Sequence, residues 1–198
     1  MGPLDLGPLS PPPADLTSRD LVVAAWNARL FRVHRAGVDA VHVGTSRRNR
    51  LDDPVGEYGV LYASADLEGG FIETFGAISS ISVNSLAATG WSVIEGTRPW
   101  RLCDLRGNGL ARVGADGRLC TGNRDDAQHW SRAIWAHPSM VDGICYPART
   151  NLATTSVALF DRVAATVGAS YQGSFMDAQN QGTTARLLEH YRIGLLPG

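Results

Sequence analysis

The chain lacks any run of about 18 consecutive apolar residues, so no membrane-spanning helix is expected. Residues Met1 to Asp15 lack the basic start and apolar stretch of a secretory signal, which points to a cytoplasmic protein. Cysteine is scarce. Cys103, Cys120 and Cys145 are far apart and odd in number, and no CxxC or Cys/His pair has the spacing of a zinc site. The histidines, His34, His42, His129, His137 and His190, are equally scattered; they read as surface or locally bonded groups, and no metal is expected. A surplus of positive charge is also missing. The formal net charge is -1, which speaks against direct nucleic-acid binding, because phosphates call for a basic face. Neither a GxxxxGKS/T loop nor a strand-linked GxGxxG is present, which removes two common phosphate-cradling loops.

What is there suits one globular domain. The chain has 198 residues, 44% hydrophobic and 19% charged, enough for a core that needs no disulfide or metal. Residues 1–16 read as a Pro-rich tail, with Pro11, Pro12 and Pro13 in a row, extended or draped over the body. Residues 17–198 then form the domain. A helix is predicted from Thr17, with Leu21, Val22, Ala25 and Ala28 as its apolar stripe. Strands are predicted at Leu30 to Arg35, Val60 to Ala63, Trp91 to Glu95, Trp100 to Leu105, Gly143 to Tyr146 and Ser156 to Phe160. Residues 44–59 read as a polar loop carrying Arg47, Arg48 and Arg50. A helix capped by Ser64 is expected to run to Gly76, with others at Asp125 to His137 and Thr183 to Tyr191. Strands among few helices, without a βαβ rhythm, indicate a compact α+β domain.

Three positions carry chemistry. With Leu67 at zero on a helical wheel of about 100 degrees per residue, Leu67, Phe71, Phe75 and Ile72 cover one side and Glu73 lies opposite. A glutamate there is usually just solvated. Gly69 and Gly70, however, are its helix-surface neighbours, and each glycine costs roughly 1 kcal/mol against alanine. Two together imply a close approach, by a packed strand or by a ligand, and place Glu73 in a crowded hollow. Arg32 is mid-strand between Phe31 and Val33. It needs either a carboxylate partner or an anion in a cleft, and Arg50 offers a second phosphate contact. Tyr62 follows Val60 on one strand face and can pack in the core or stack on an aromatic ligand.

The blocks 31-FRVHR-35, 49-NRLDDPVGEYGVLYAS-64, 71-FIETFG-76, 142-DGICYPARTN-151 and 156-SVALFDR-162 together resemble the RES domain family, named for an arginine, a glutamate and a serine. The resemblance implies an α+β fold akin to ADP-ribosyltransferase toxins. It implies that NAD is degraded as a substrate, by hydrolysis or phosphorolysis, with no cofactor, and that a helix-turn-helix antitoxin is the partner. It makes Glu73, Arg32 and Tyr62 the catalytic set, and Arg50, Ala148 and Thr150 further substrate-binding positions. The serine departs: the family reads Tyr-x-Ser-Arg where this chain reads Tyr146-Pro147-Ala148-Arg149, with Thr150 and Ser156 as the nearby hydroxyls. Two alternatives stay open, a transferase that modifies a macromolecule and a non-catalytic module that binds nucleotide or antitoxin. A homo-oligomer is equally open.

Overall fold

The computed structural model describes residues 7–198; the first six residues of the expected tail lie outside the described residues. In chain order the elements are β1 (Val23–Trp26), β2 (Leu30–Arg35), β3 (Val60–Ser64), α1 (Leu67–Phe75), β4 (Ser80–Ser82), α2 (Val83–Ala87), β5 (Thr89–Gly96) and β6 (Trp100–Asp104). The short helices α3 (Gly109–Val113) and α4 (Arg118–Thr121) precede α5 (Arg124–Trp135), β7 (Gly143–Pro147), β8 (Thr155–Phe160), β9 (Val167–Ser174), α6 (Gln181–Tyr191) and β10 (Gly194–Leu196). The α+β expectation holds.

One prediction fails at the start. The stripe read as a helix from Thr17 is a 3-10 turn, Leu16–Ser18, followed by β1, whose four residues pair antiparallel with β6 from Val23↔Cys103 to Trp26↔Trp100. The open edge of β6 supplies backbone partners that local propensity does not anticipate. Alternate residues of β1 are exposed and half-buried, the period of a strand and not of a helix.

Eight strands make one sheet in the order β1-β6-β7-β8-β3-β2-β5-β9. Its weak seam lies between β2 and β3, which share the single register pair Phe31↔Ser64, whereas β3 pairs with β8 from Val60↔Phe160 to Ser64↔Ser156. The strands therefore part there on one face, where each flank carries its own cluster; on the opposite face a single cluster that includes Leu30, Ile94, Leu61 and Leu159 spans the seam. On one side α5 buries Trp130 and Ile134 against Ile144, Ala158 and Phe160. Leu9 and Leu16 join the same cluster, and the Trp130 Nε1–H donates to the Ser10 carbonyl at 2.9 Å. On the other side Phe71 of α1, Phe175 and Leu187 of α6 pack together.

The cap of α1 is Asp66, not Ser64. The Asp66 carboxylate accepts from the Gly69 amide at 2.6 Å, which leaves Ser64 as the last residue of β3. The two glycines seat this helix closely. A Cβ on Gly70 would lie 3.2 Å from Val33 Cγ2, and one on Gly69 would lie 3.0 Å from Thr154 Oγ1. Gly70 thus lets α1 settle onto β2, and Gly69 admits the loop after β7.

Candidate active site

A cleft of about 650 Å³ opens where β2 and β3 part, and Arg32, Arg50, Tyr62 and Glu73 all line it. The fold brings these four together from a strand, a loop, a second strand and a helix.

Glu73 projects from α1 opposite the buried Phe71 and Ile72, and it is exposed at the cleft wall instead of sitting in a crowded hollow. The crowding belongs to the glycines one turn earlier. Its carboxylate is nonetheless held. The Thr150 amide donates to Glu73 Oε1 at 3.0 Å and the Thr150 hydroxyl to the same oxygen at 2.5 Å. The other oxygen, Oε2, accepts no hydrogen bond from the described residues.

Arg32 is half-buried and has no carboxylate within ion-pairing distance among the described residues. Its Nη1 donates to the His42 carbonyl at 2.9 Å. Burial pulls its pKa below the usual guanidinium value, against the opposing field of Asp39. Arg50 is anchored through Nη1 to the Gly122 carbonyl at 2.9 Å. Its pKa is lowered first by burial and then by the nearby Arg149 cation. Arg35, Arg48, Arg124 and Arg149 also line the cleft, so six guanidinium groups face one carboxylate, Glu73. The sequence contains no lysine, so every one of these cations brings a planar, forked set of donors. Such a cleft favours an anion, and a pyrophosphate fits paired guanidinium groups.

Tyr62 gives its ring to the cleft, but its hydroxyl is occupied. It donates to Asp52 Oδ1 at 3.0 Å and accepts from the Leu51 amide at 2.9 Å. Asp52 and Asp53, both 1% exposed, organise the arginine-bearing loop. Asp52 also accepts from Ser46 Oγ at 2.9 Å, while Asp53 receives Arg132 Nη1 at 2.9 Å and the Glu57 amide. From α5, Gln128 Nε2 donates to the Arg47 and Asn49 carbonyls at 2.9 and 2.8 Å. Sequence reasoning missed this buttress. An Asp-Asp-Pro run in a polar loop reads as exposed turn chemistry, and only burial of the two carboxylates reveals it.

Ala148 is fully buried and is not among the cleft-lining residues; its amide donates to the Thr154 carbonyl at 3.1 Å. The structure thus separates it from Thr150, which reaches Glu73, and from Ser156, which lines the cleft. His34 lines the cleft as well, and it is locally bonded: Nδ1 lies 3.0 Å from the Arg35 carbonyl and Nε2 2.8 Å from Ser92 Oγ. A carbonyl only accepts, so Nδ1 carries the proton and Nε2 accepts from Ser92. Burial lowers the His34 pKa, which keeps the ring neutral beside the arginines. Cys120, the cysteine that lines the cleft, has its thiol pushed up to about 11 by burial, so it offers no thiolate nucleophile at neutral pH.

The RES domain model matches residues 29–179, a span that includes every motif block quoted above. The protein belongs to the RES domain family. It is 29% identical over 121 residues to a probable toxin of Sinorhizobium fredii, a match covering 59% of this chain and 90% of that protein. In three dimensions the RES chain is similar to a chain in the crystal structure of the Mycobacterium tuberculosis MbcT–MbcA toxin–antitoxin complex. The TM-score is 0.61 at 16% identity, over 82% of this chain and 92% of the other. At that identity the likeness establishes a shared fold. Among the described residues, no helix is long and apolar enough to cross a membrane.

Proposed function

We propose that this RES protein is a toxin-type enzyme that consumes NAD by breaking the nicotinamide–ribose bond, with water or inorganic phosphate as acceptor. One observation carries the reading: a single carboxylate, gripped on one oxygen by Thr150, faces a cleft otherwise rich in arginines, two of them half-buried and without ion pairs among the described residues. Cleavage withdraws the bonding electron pair onto the pyridinium nitrogen, so nicotinamide leaves neutral and the ribose carbon gains oxocarbenium character. Glu73 stabilises that charge and accepts from a ribose hydroxyl through its free Oε2. Arg32 and Arg50 hold the pyrophosphate, and the Tyr62 ring stacks on the nicotinamide. Water then attacks the sugar carbon and loses a proton, or phosphate attacks directly. The hydroxyl at Thr150 supports this catalytic reading over a module that merely binds nucleotide.

Incubation of the protein with NAD, with and without phosphate, tests the proposal by identifying the products. Nicotinamide with ADP-ribose indicates hydrolysis; nicotinamide with a phosphorylated ADP-ribose indicates phosphorolysis. No nicotinamide above the enzyme-free level under either condition sinks the reading. Transfer of ADP-ribose to added protein or nucleic acid replaces it with the transferase alternative. The names of the two relatives support a toxin restrained by an antitoxin; we take the protein to act in the cytoplasm and the antitoxin to carry a helix-turn-helix domain. Growth arrest with falling NAD pools, relieved by co-expression of a helix-turn-helix antitoxin that binds this chain, is the expected outcome in cells.

A further inference from the structure

We propose that Ser156 is a substrate-contacting residue whose hydroxyl receives the carboxamide of the nicotinamide ring on the cleft floor. This rests on the reading above that NAD is the substrate.

Four residues form a row across four strands. Phe31 of β2 is in register with Ser64 of β3, Ser64 with Ser156 of β8, and Ser156 with Tyr146 of β7. Residues directly opposite one another share a sheet face, and all four line the cleft. Two aromatic residues therefore bracket two hydroxyls along one line.

Ser156 is 3% exposed, and its Oγ has no hydrogen-bond partner among the described residues. Such orphaned groups are rare and costly to leave buried. Three other buried side-chain atoms share this condition among the described residues, the indole nitrogens of Trp91, Trp100 and Trp135. None of those lines the cleft. The Tyr146 phenol is close enough to Ser156 to be influenced by it, yet no hydrogen bond of proper geometry forms. The strand does not demand a serine here. Ala158 and Phe160, on the same face of β8, are apolar members of the core. A polar atom kept in that row without a protein partner has its use in binding.

Depth separates charge from neutrality. Arg35, Arg48, Arg124 and Arg149 are exposed and Arg32 and Arg50 half-buried, whereas Ser64, Ser156 and Tyr146 are buried. Phosphates belong with the arginines, above the buried floor. The floor suits a flat aromatic ring bearing an uncharged group that both donates and accepts. The carboxamide is that group, and a serine hydroxyl likewise does both.

The test compares the full-length wild type with Ser156→Ala in two assays, inhibition of NAD cleavage and direct binding followed by NMR titration. Nicotinamide and ADP-ribose are the probes. Ser156→Ala should weaken nicotinamide about threefold to tenfold, the effect of one neutral hydrogen bond, and leave ADP-ribose within twofold. Its thermal midpoint should equal or exceed that of the wild type, because no intramolecular bond is lost. Unchanged nicotinamide affinity overturns the proposal. So does weakened ADP-ribose with nicotinamide unaffected, which would assign the hydroxyl to a ribose. A lowered midpoint with both ligands weakened makes Ser156 structural and overturns it too. If the wild type releases no nicotinamide from NAD yet binds nicotinamide through Ser156, the enzymatic reading fails and this inference stands.

Discussion

Thr150 and Glu73, 77 residues apart in sequence, meet through two hydrogen bonds that converge on a single carboxylate oxygen, at 3.0 Å from the amide and 2.5 Å from the hydroxyl. The loop after β7 thereby fixes a side chain of α1, and the second oxygen stays available. The hydroxyl that the family motif carries at position 148 is absent here. Two residues downstream, Thr150 provides one that contacts the carboxylate directly.

Removing that hydroxyl should be felt in turnover. Thr150→Val keeps the side-chain shape and the amide bond but loses the shorter contact. A hydrogen bond to a charged group is worth roughly 1.5–3 kcal/mol, and the exposed setting argues for the lower end, so kcat should fall about tenfold. Thr150→Ser should stay near wild type. Ala148→Ser adds a hydroxyl to a fully buried position and should not raise activity. Steady-state NAD cleavage measures all three; activation by Ala148→Ser with a silent Thr150→Val would refute the assignment.

Glu73→Gln preserves size and removes the charge. It should lower kcat by about 10²- to 10³-fold, the scale for deleting one transition-state stabiliser, while KM changes little. A variant with near-normal kcat would take Glu73 out of the mechanism.

Arg32→Ala should weaken NAD binding about tenfold to a hundredfold, the scale of one charge-assisted contact. Arg32→Lys should recover only part of it, because lysine cannot present a planar fork. Calorimetry on the Glu73→Gln background avoids turnover. Among the described residues Arg32 has no ion pair to lose, only its bond to the His42 carbonyl, so Arg32→Ala should fold with a thermal midpoint close to that of the wild type. Full rescue by lysine, or a destabilised alanine variant, contradicts the cleft assignment.

Acid should weaken the fold through specific carboxylates. Burial alone would push Asp142 up, but the two bonds from Arg98, at 2.6 and 2.9 Å, and the Arg101 amide hold it below 3.8. Burial likewise raises Asp53, and the Glu57 amide and Arg132 outweigh it. For Asp104 the Arg106 guanidinium is the leading cause of a lowered value. Groups with depressed folded pKa values contribute stability above the unfolded value of 3.8 and lose it as pH falls through the folded values. The thermal midpoint should therefore be flat from pH 7 to about 5 with respect to these groups, and fall below pH 3.8. Asp142→Asn should shrink the fall. An acid limb of the same size in that variant would place the loss elsewhere.

The parts of the fold that were legible have strong local signals. The alternation in Leu30–Arg35, the Gly boundary that ends Leu67–Phe75, and the amphipathic run Arg124–Trp135 ended before Pro138 each declare themselves, whereas the cap of α1 is Asp66, two residues beyond the Ser64 that the sequence suggests. β1 did not, because its pairing with β6 outweighs a spacing that also suits a helix. β9 did not either. Its Gly- and Ser-containing segment, Val167–Ser174, is a largely exposed edge strand recruited by β5. Within the site, Arg32, Arg50, Tyr62 and Glu73 share one cleft, as their motif blocks suggested. Illegible were the properties that depend on long-range contact: the burial of Asp52 and Asp53, the grip of Thr150 on Glu73, and the orphaned hydroxyl of Ser156.

The lodging of Leu9 and Leu16 beside Trp130 has a consequence for biosynthesis. Ser10 and its hydrogen-bond partner Trp130 are 120 residues apart. At ribosomal speeds of 5–20 residues per second, the early segment waits roughly 6 to 24 s for Trp130 to be made. Ile144, Ala158 and Phe160, which complete the cluster, come later still. Both leucines are thus made long before the residues that cover them and stay exposed to solvent over that interval. A stalled or prematurely terminated chain ending before Gly143 would carry them uncovered, as a handle for chaperones and proteases that the finished protein withdraws.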